Sequence, residues 1–168
     1  MAGEPAPGYL DAVGGEVTKA SDGTFTFVET LATALPDKPK LPAGDAALGW
    51  SVCVDVDPTV APVGFPMTIA MPCEFIVHTR WDGRRLAGLL IDRRPLAAGG
   101  SAKTTPFDPI VDGTSVRMEV SEGALGDPAS FRWSMFTEEL GPLGTDQVVQ
   151  VDAVPDGGVG DPAAWPSD

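Results

Sequence analysis

The sequence predicts an all-β protein, an antiparallel β-sandwich of about eight to ten strands with little helix. Two observations lead to this fold class. Short segments alternate apolar and polar residues with a period of two, and clusters of turn-forming residues separate them. No longer stretch repeats its apolar residues at the 3.6-residue period of an amphipathic helix. The chain is therefore expected to fold as many short strands joined by turns.

The N-terminal half begins with a predicted hairpin. Strands at residues 15–19 and 24–34 flank Ser21-Asp22-Gly23, a turn signal because Asp and Gly tolerate positive φ. Residues 35–45 hold three prolines and are predicted to be a loop, because proline cannot donate to a strand ladder. Alternation then predicts further strands at residues 50–56, 74–81 and 86–91.

The C-terminal half is predicted to hold fewer strands. Residues 96–112 contain Gly99-Gly100 and the segment from Pro106 to Pro109, so we expect a loop there. Strands are expected at residues 114–120, 131–137 and 147–151. The domain organisation follows as a flexible leader over residues 1–8, a sandwich domain over 9–157 and a flexible acidic tail over 158–168.

Composition excludes several classes of partner. The chain has 20 Gly and 17 Pro among 168 residues of which 43% are hydrophobic, which indicates many turns around a real core rather than disorder. Its net charge of -13 repels nucleic acid, since phosphate binding depends on clustered Lys and Arg. No apolar run is long enough to span a bilayer, so we expect no membrane insertion.

The order of four short motifs resembles a known superfamily. They are Val54-Asp55-Val56-Asp57, Trp81-Asp82-Gly83, Leu125-Gly126-Asp127-Pro128 and the stretch 152–157. This series looks like the DOMON-like β-sandwich superfamily, which includes the family-nine carbohydrate-binding modules. The resemblance implies an extracytoplasmic module that binds sugar, metal or, in some branches, haem, and it does not imply an enzyme.

Both cysteines fall on one predicted hairpin. Cys53 and Cys73 lie near its closed end, where a disulfide is geometrically reasonable. Strand alternation puts Cys53 on the face of Asp55 but Cys73 on the face of Phe75, so a bulge near Pro72 is needed to pair them. Two buried free thiols are the alternative. With the disulfide, we expect an extracellular or cell-surface protein whose export signal has been removed.

Asp55 and Asp57 are the candidate metal ligands. Two residues apart in an extended chain, their carboxylates point the same way, and calcium takes such oxygen ligands. Asp152 and Asp156 are candidates to join them. The alternative is a solvated strand end before a proline turn. A melting temperature unchanged by EDTA contradicts a structural calcium site here.

The rim around Trp81 is the candidate ligand site. A sugar ring stacks on a flat aromatic face, and Arg80, Asp82 and Arg84 beside Trp81 supply hydrogen-bonding groups. Trp81 also falls on the same strand face as Phe75, so the alternative is that Trp81 is a core residue. Trp50 and Trp133 are in phase with core residues and are assigned to the core.

His78 completes the set of candidate ligand-binding residues. It is the single histidine, so the chain cannot build a His-rich metal site, and no Gly-x-Ser-x-Gly elbow is present for a serine triad. We place it on a sheet face beside Glu74 and Arg80. Haem is not expected, because the methionines that could share its ligation show no recognisable spacing: Met67, Met71, Met118 and Met135.

Three functions remain open at this point. The first is a non-catalytic extracellular binding module for carbohydrate or a similar ligand. The second is a structural or adhesive surface protein that self-associates through exposed apolar patches. The third is a small β-fold enzyme that uses a pocket carboxylate or His78 as general acid or base. Glycan binding would favour the first function, and oligomers without glycan binding would favour the second. A pocket that holds His78 beside a buried carboxylate would favour the third.

Overall fold

The computed structural model describes residues 6–42, 46–59, 73–141, 148–155 and 162–166. These residues form eleven strands and three short 3-10 helices, and every strand pair is antiparallel. The strands are β1 Ala12–Lys19, β2 Thr24–Leu31, β3 Ala47–Asp55, β4 Phe75–Trp81, β5 Leu86–Asp92, β6 Lys103–Phe107, β7 Ile110–Asp112, β8 Ser115–Ser121, β9 Phe131–Leu140, β10 Val148–Val154 and β11 Ala163–Trp165. The 3-10 helices are Gly8–Leu10, Arg94–Ala98 and Glu122–Leu125.

Two sheets pack face to face, which confirms the predicted all-β sandwich. The smaller sheet has the order β1-β2-β8-β7. The larger has the order β10-β9-β3-β4-β5-β6, and β11 also pairs with β9. The inner faces bury one apolar cluster, to which β2 gives Phe25 and Phe27 and β3 gives Trp50 and Val52. This follows from strand geometry, because every second residue of a strand points to the same face of the sheet. Each buried ring stabilises the folded state by about 1.5–3 kcal/mol.

The outer face of the larger sheet carries a second, smaller cluster around a disulfide. Cys53 and Cys73 are bonded, with Cα atoms 5.3 Å apart, and they pack with Ile76 and Phe136. This confirms the predicted pairing. The phase difficulty is resolved because Cys73 precedes β4, outside the β3–β4 ladder that ends at Val54 and Phe75. Alternation along β4 therefore does not fix the direction of Cys73.

The expected loop over residues 96–112 is wrong in part. Residues Lys103–Phe107 form β6 and Ile110–Asp112 form β7. β6 is the edge strand beyond β5, and an edge strand is where a sheet tolerates a proline such as Pro106. β6 is mostly exposed and lacks apolar alternation, and this removed the signal on which the strand predictions rest.

Part of the tail also forms a strand rather than a flexible segment. Ala163–Trp165 pairs with Phe131–Trp133 of β9. The reason is aromatic packing, because Trp165 stacks on Phe131 at 5.3 Å and meets Phe25 edge-on at 4.7 Å. Among the described residues, no helix is long and apolar enough to cross a membrane.

Candidate ligand-binding site

A cleft of about 350 Å³ opens at the end of the sandwich where β3 finishes. Asp55 and Pro58 line it from β3 and the turn that follows, Phe131 and Arg132 from the start of β9, and Trp165 from β11. Three strands converge here because β9 is the neighbour of both β3 and β11. Such a cleft, mostly apolar with a few fixed polar groups, has the make-up of a ligand site.

Arg132 supplies the fixed polar group. It lies directly opposite Asp55 across the β3–β9 ladder. Its Nε donates to Asp55 Oδ2 at 2.8 Å and its Nη2 donates to the same oxygen. The Asp55 side chain is fully buried, whereas the Arg132 side chain is 41% exposed. The guanidinium is thus held by a buried carboxylate, while part of the Arg132 side chain stays exposed and lines the cleft.

Hydrogen-bonding capacity is left over on both sides of this pair. Oδ1 of Asp55 is buried and has no hydrogen-bond partner within the described residues. Nη1 of Arg132 makes no hydrogen bond to any described residue. A buried polar atom without a partner costs about 1–3 kcal/mol, so a bound hydroxyl that reached these atoms would recover free energy.

Trp165 forms an aromatic wall beside the pair. The ring is half-buried, with Phe131 stacked against it at an interplanar angle of 19°. Lys19 Nζ lies 5.7 Å from its centroid and also pairs with Glu122 at 2.5 Å. Because these contacts fix the ring plane, the exposed part of the Trp165 ring is a rigid wall of the cleft.

Glu74 secures the chain at the rim of the cleft. Its Oε2 accepts a hydrogen bond from the backbone N–H of Val56 at 2.8 Å, and Val56 lines the cleft. Burial raises the pKa of Glu74, and the charge of Asp55 raises it further, against the lowering effect of the Val56 N–H. Glu74 therefore acts as a backbone anchor close to the Asp55 charge.

A second polar cluster lies further along the same outer face. The Ser51 hydroxyl donates to Glu138 Oε1 at 2.9 Å, and its oxygen is 2.7 Å from Nδ1 of His78. Which of Ser51 and Nδ1 donates to the other depends on the tautomer of His78; with the hydroxyl proton directed at Glu138, Nδ1 is the donor to Ser51. Nδ1 also lies 3.2 Å from Glu138 Oε1. Glu138 reaches this position across Gly49, where a Cβ atom would come within 2.6 Å of its Cγ.

This cluster does not have the geometry of a serine relay. A relay needs the nucleophile on one ring nitrogen of the histidine and the acid on the other. Here Ser51 and Glu138 both meet Nδ1, and Ser51 is fully buried. The two hydrogen bonds of Ser51 and the 3.2 Å contact between His78 and Glu138 link β3, β4 and β9. His78 is not among the described residues that line the cleft at Arg132 or a smaller cavity bordered by Trp81 and Leu86.

The residues predicted to form the Trp81 site are separated by the sheet. Trp81 points inward, is 5% exposed and donates from Nε1 to the carbonyl oxygen of Pro39 at 3.0 Å. Arg80 and His78 alternate with it and lie on the outer face. Asp82 accepts from the backbone N–H groups of Arg84 and Arg85 in the β4–β5 turn, and the Arg84 side chain is exposed. These side chains do not form one binding surface.

The predicted calcium ligands have protein partners. Asp55 pairs with Arg132, and Asp57 Oδ1 accepts from the backbone and hydroxyl of Thr59 at 3.0 and 2.6 Å. Asp152 Oδ2 accepts from the N–H of Ala12, and Asp156 lies outside the described residues. Within the part of the chain that is described, no group of three or more His, Cys, Asp or Glu residues is placed to hold a metal ion. Calcium at Asp55 and Asp57 stays a prediction, and an ion there would compete with these partners.

Of the four methionines considered for haem, two lie among the described residues. Met118 and Met135 are fully buried in the sandwich core, on the inner side of the sheets. Met67 and Met71 lie outside the described residues.

Sequence reasoning missed Arg132, Trp165 and Glu138. Alternation along β9 does put Arg132 and Glu138 opposite the core face of Trp133, and that signal was available. Pairing Arg132 with Asp55 needs the β3–β9 register, which joins strands 77 residues apart in the chain. Trp165 lies in a Gly/Pro-rich stretch that carries no strand pattern.

Comparison of the chain with protein-family models, with curated proteins and with solved structures gives no match. The resemblance to the DOMON-like superfamily therefore stays a hypothesis.

Proposed function

We propose that this protein is a non-catalytic extracellular binding module whose ligand is a carbohydrate or a similar hydroxyl-rich molecule. One observation carries the proposal: Arg132, whose partly exposed side chain is fixed by buried Asp55, lines the same cleft as the half-buried aromatic ring of Trp165. The proposed site is thus at the β3 end of the sandwich and not at Trp81.

The chemistry of a sugar matches both parts of the cleft. A pyranose ring presents an apolar C–H face, which packs on an aromatic ring, and a rim of hydroxyl groups. Each hydroxyl both donates and accepts, so it can meet the open N–H groups of Arg132 as well as a carboxylate oxygen. Because Arg132 already has a counter-ion and the chain carries a net charge of -13, an uncharged ligand is favoured over an anionic one.

The disulfide supports an extracellular location. Structural disulfides persist in oxidising compartments and are rare in reducing ones. The Cys53–Cys73 bond is buried within an apolar cluster and uses both cysteines of the chain, which suits a structural role. Detection of the protein outside the cell or on its surface, with the bond intact, tests this part of the proposal.

A glycan array followed by calorimetry tests the proposed binding. We expect the array to identify an uncharged glycan, and Trp165→Ala to weaken its binding about tenfold, a loss of about 1.4 kcal/mol. Arg132→Lys keeps the charge beside Asp55 but removes the planar fork, so it should weaken binding by a similar factor. Arg84→Ala, which changes an exposed arginine at the other end of the sandwich, is the matched control and should bind as the wild type does.

Two results would count against the proposal. If Trp165→Ala and Arg132→Lys bind the glycan as tightly as Arg84→Ala, the cleft is not the site. If no glycan binds and the protein elutes as oligomers in size-exclusion chromatography, the self-associating surface protein is the better description.

A further inference from the structure

A second cavity, of about 210 Å³, lies at the opposite end of the sandwich. Trp81 and Leu86 line it from the larger sheet, Val111 from the smaller one, and Pro36 and Pro39 from the loop between β2 and β3. Along β3, Leu48 pairs with Trp81 at this end and Asp55 pairs with Arg132 at the other. The seven steps from Leu48 to Asp55 span about 23 Å of extended chain. The two cavities are therefore independent sites.

The wall that the loop provides is held in place by three tertiary hydrogen bonds. Leu35 donates its N–H to the carbonyl oxygen of Gly113 at 3.0 Å. Trp81 Nε1 donates to Pro39 at 3.0 Å, and the Tyr9 hydroxyl donates to the carbonyl oxygen of Lys40 at 3.2 Å. The prolines of this loop have few backbone conformations to lose, so the cavity is preformed rather than assembled by a ligand.

The size and lining of the cavity suit one apolar group. A cavity of about 150 Å³ lined by aliphatic and aromatic side chains holds a benzene molecule. The cavity at Trp81 is larger, at about 210 Å³, and its lining is apolar apart from Asp37 and backbone groups. The indole N–H of Trp81 is already used by Pro39, so the ring offers apolar and π surface rather than a hydrogen bond.

Asp37 decides the charge of the expected ligand. Among the described residues that line this cavity it is the one ionisable residue, and its side chain is exposed at the surface. A carboxylate beside an aromatic ring attracts a cation through both the ion pair and the ring quadrupole. We propose that this cavity is a binding site for a small aromatic or aliphatic group that carries a protonated amine. This inference does not depend on the carbohydrate site.

Chemical shifts of the Trp81 indole N–H test the proposal. The signal is assigned by its loss in Trp81→Phe, and three probes of equal ring size are titrated: benzylamine, benzyl alcohol and benzoate. We expect benzylamine to shift this signal in a saturable way and to bind about threefold more tightly than benzyl alcohol, as suits a partly exposed ion pair. Benzoate should bind most weakly.

Asp37→Asn should remove the preference for benzylamine over benzyl alcohol while both still shift the indole signal. Asp108→Asn, an exposed aspartate on another loop, is the matched control and should keep the preference. The proposal is overturned if no probe shifts the Trp81 signal, if benzoate binds as well as benzylamine, or if Asp37→Asn keeps the preference. Changes confined to the Trp165 signal would place amine binding at the other cleft and would also overturn it.

Discussion

Glu29 is the residue whose burial has the clearest consequence for stability. Its side chain is fully buried, and neither carboxylate oxygen has a hydrogen-bond partner among the described residues. Burial raises the pKa of Glu29 well above its ordinary value, and the charges of Glu138 and Asp152 add to the effect. Burial in the core thus favours the neutral form of the carboxyl group, since an ion there would be very costly.

We expect Glu29 to make the protein less stable as the pH rises. A pKa that is higher in the folded state means that the folded chain binds more protons than the unfolded chain. The contribution of protonated Glu29 to the free energy of unfolding is therefore fully present below the ordinary glutamate pKa. It is lost toward the folded pKa, at about 1.4 kcal/mol per pH unit. Glu29→Gln should therefore flatten the pH dependence of the free energy of unfolding between acid and neutral pH and raise the melting temperature at neutral pH.

Urea unfolding at several pH values measures this effect. Glu16→Gln, an exposed glutamate on β1, is the matched control and should leave the slope as in the wild type. An equal slope in Glu29→Gln and wild type would show that Glu29 does not titrate in this way.

Gly49 is needed because Glu138 occupies the space of a side chain. A Cβ atom at position 49 would lie 2.6 Å from both Cγ and Oε1 of Glu138. We expect Gly49→Ala to displace Glu138, break its contact with Ser51 and destabilise the fold by about 1–3 kcal/mol. Gly14→Ala, where the new Cβ meets Thr30 at an ordinary 3.6 Å, should cost less. The interpretation fails if Gly49→Ala costs as much in a Glu138→Ala background, since the clash is then not the cause.

At the residue scale, the sequence reveals which face a side chain occupies but not its partner. The direction of Asp55, opposite to the core face of Val54, follows from alternation alone. Its partner Arg132 does not, because a shift of β9 by two residues would keep every face and change every pair. For Trp81 the sequence indicates the position at a strand end, but that position does not decide whether an aromatic ring is exposed or buried.

The disulfide is the main covalent constraint at the scale of elements. It joins β3 to the segment entering β4 across a sequence separation of 20 residues. Closing a loop of this length stabilises the folded state by about 3 kcal/mol in the chain-entropy description. We expect Cys53→Ala/Cys73→Ala to lose about that much free energy of unfolding, measured with urea.

Reducing agent provides the control for this prediction. It should lower the stability of the wild type toward that of the double variant and leave the double variant unchanged. Equal stability of the wild type and the double variant would contradict a structural role for the bond.

Strands with apolar alternation were predictable, and strands held by other interactions were not. β2, β3, β4 and β8 bury every second residue or more, so their pattern is plain in the sequence. β6 is an exposed edge and β7 has three residues, so neither shows a period. β11 depends on Trp165 packing against Phe131, a contact between residues far apart in the chain.

At the scale of the whole molecule, the sandwich presents two ends with different chemistry. The β3 end holds Arg132 and the aromatic ring of Trp165, and the opposite end holds an apolar cavity with one carboxylate, that of Asp37, among its described lining residues. Both form where loops and strand ends meet over a preformed core, which is where β-sandwiches commonly bind ligands. The fold itself follows from the sequence pattern, whereas these sites follow from register and loop packing.

The most direct measurement is an NMR titration with the glycan that the array identifies. We expect the indole N–H of Trp165 and the Nε–H of Arg132 to shift together, with one dissociation constant, while the indole N–H of Trp81 stays in place. Shifts at Trp81 without shifts at Trp165 and Arg132 would contradict the proposed carbohydrate site.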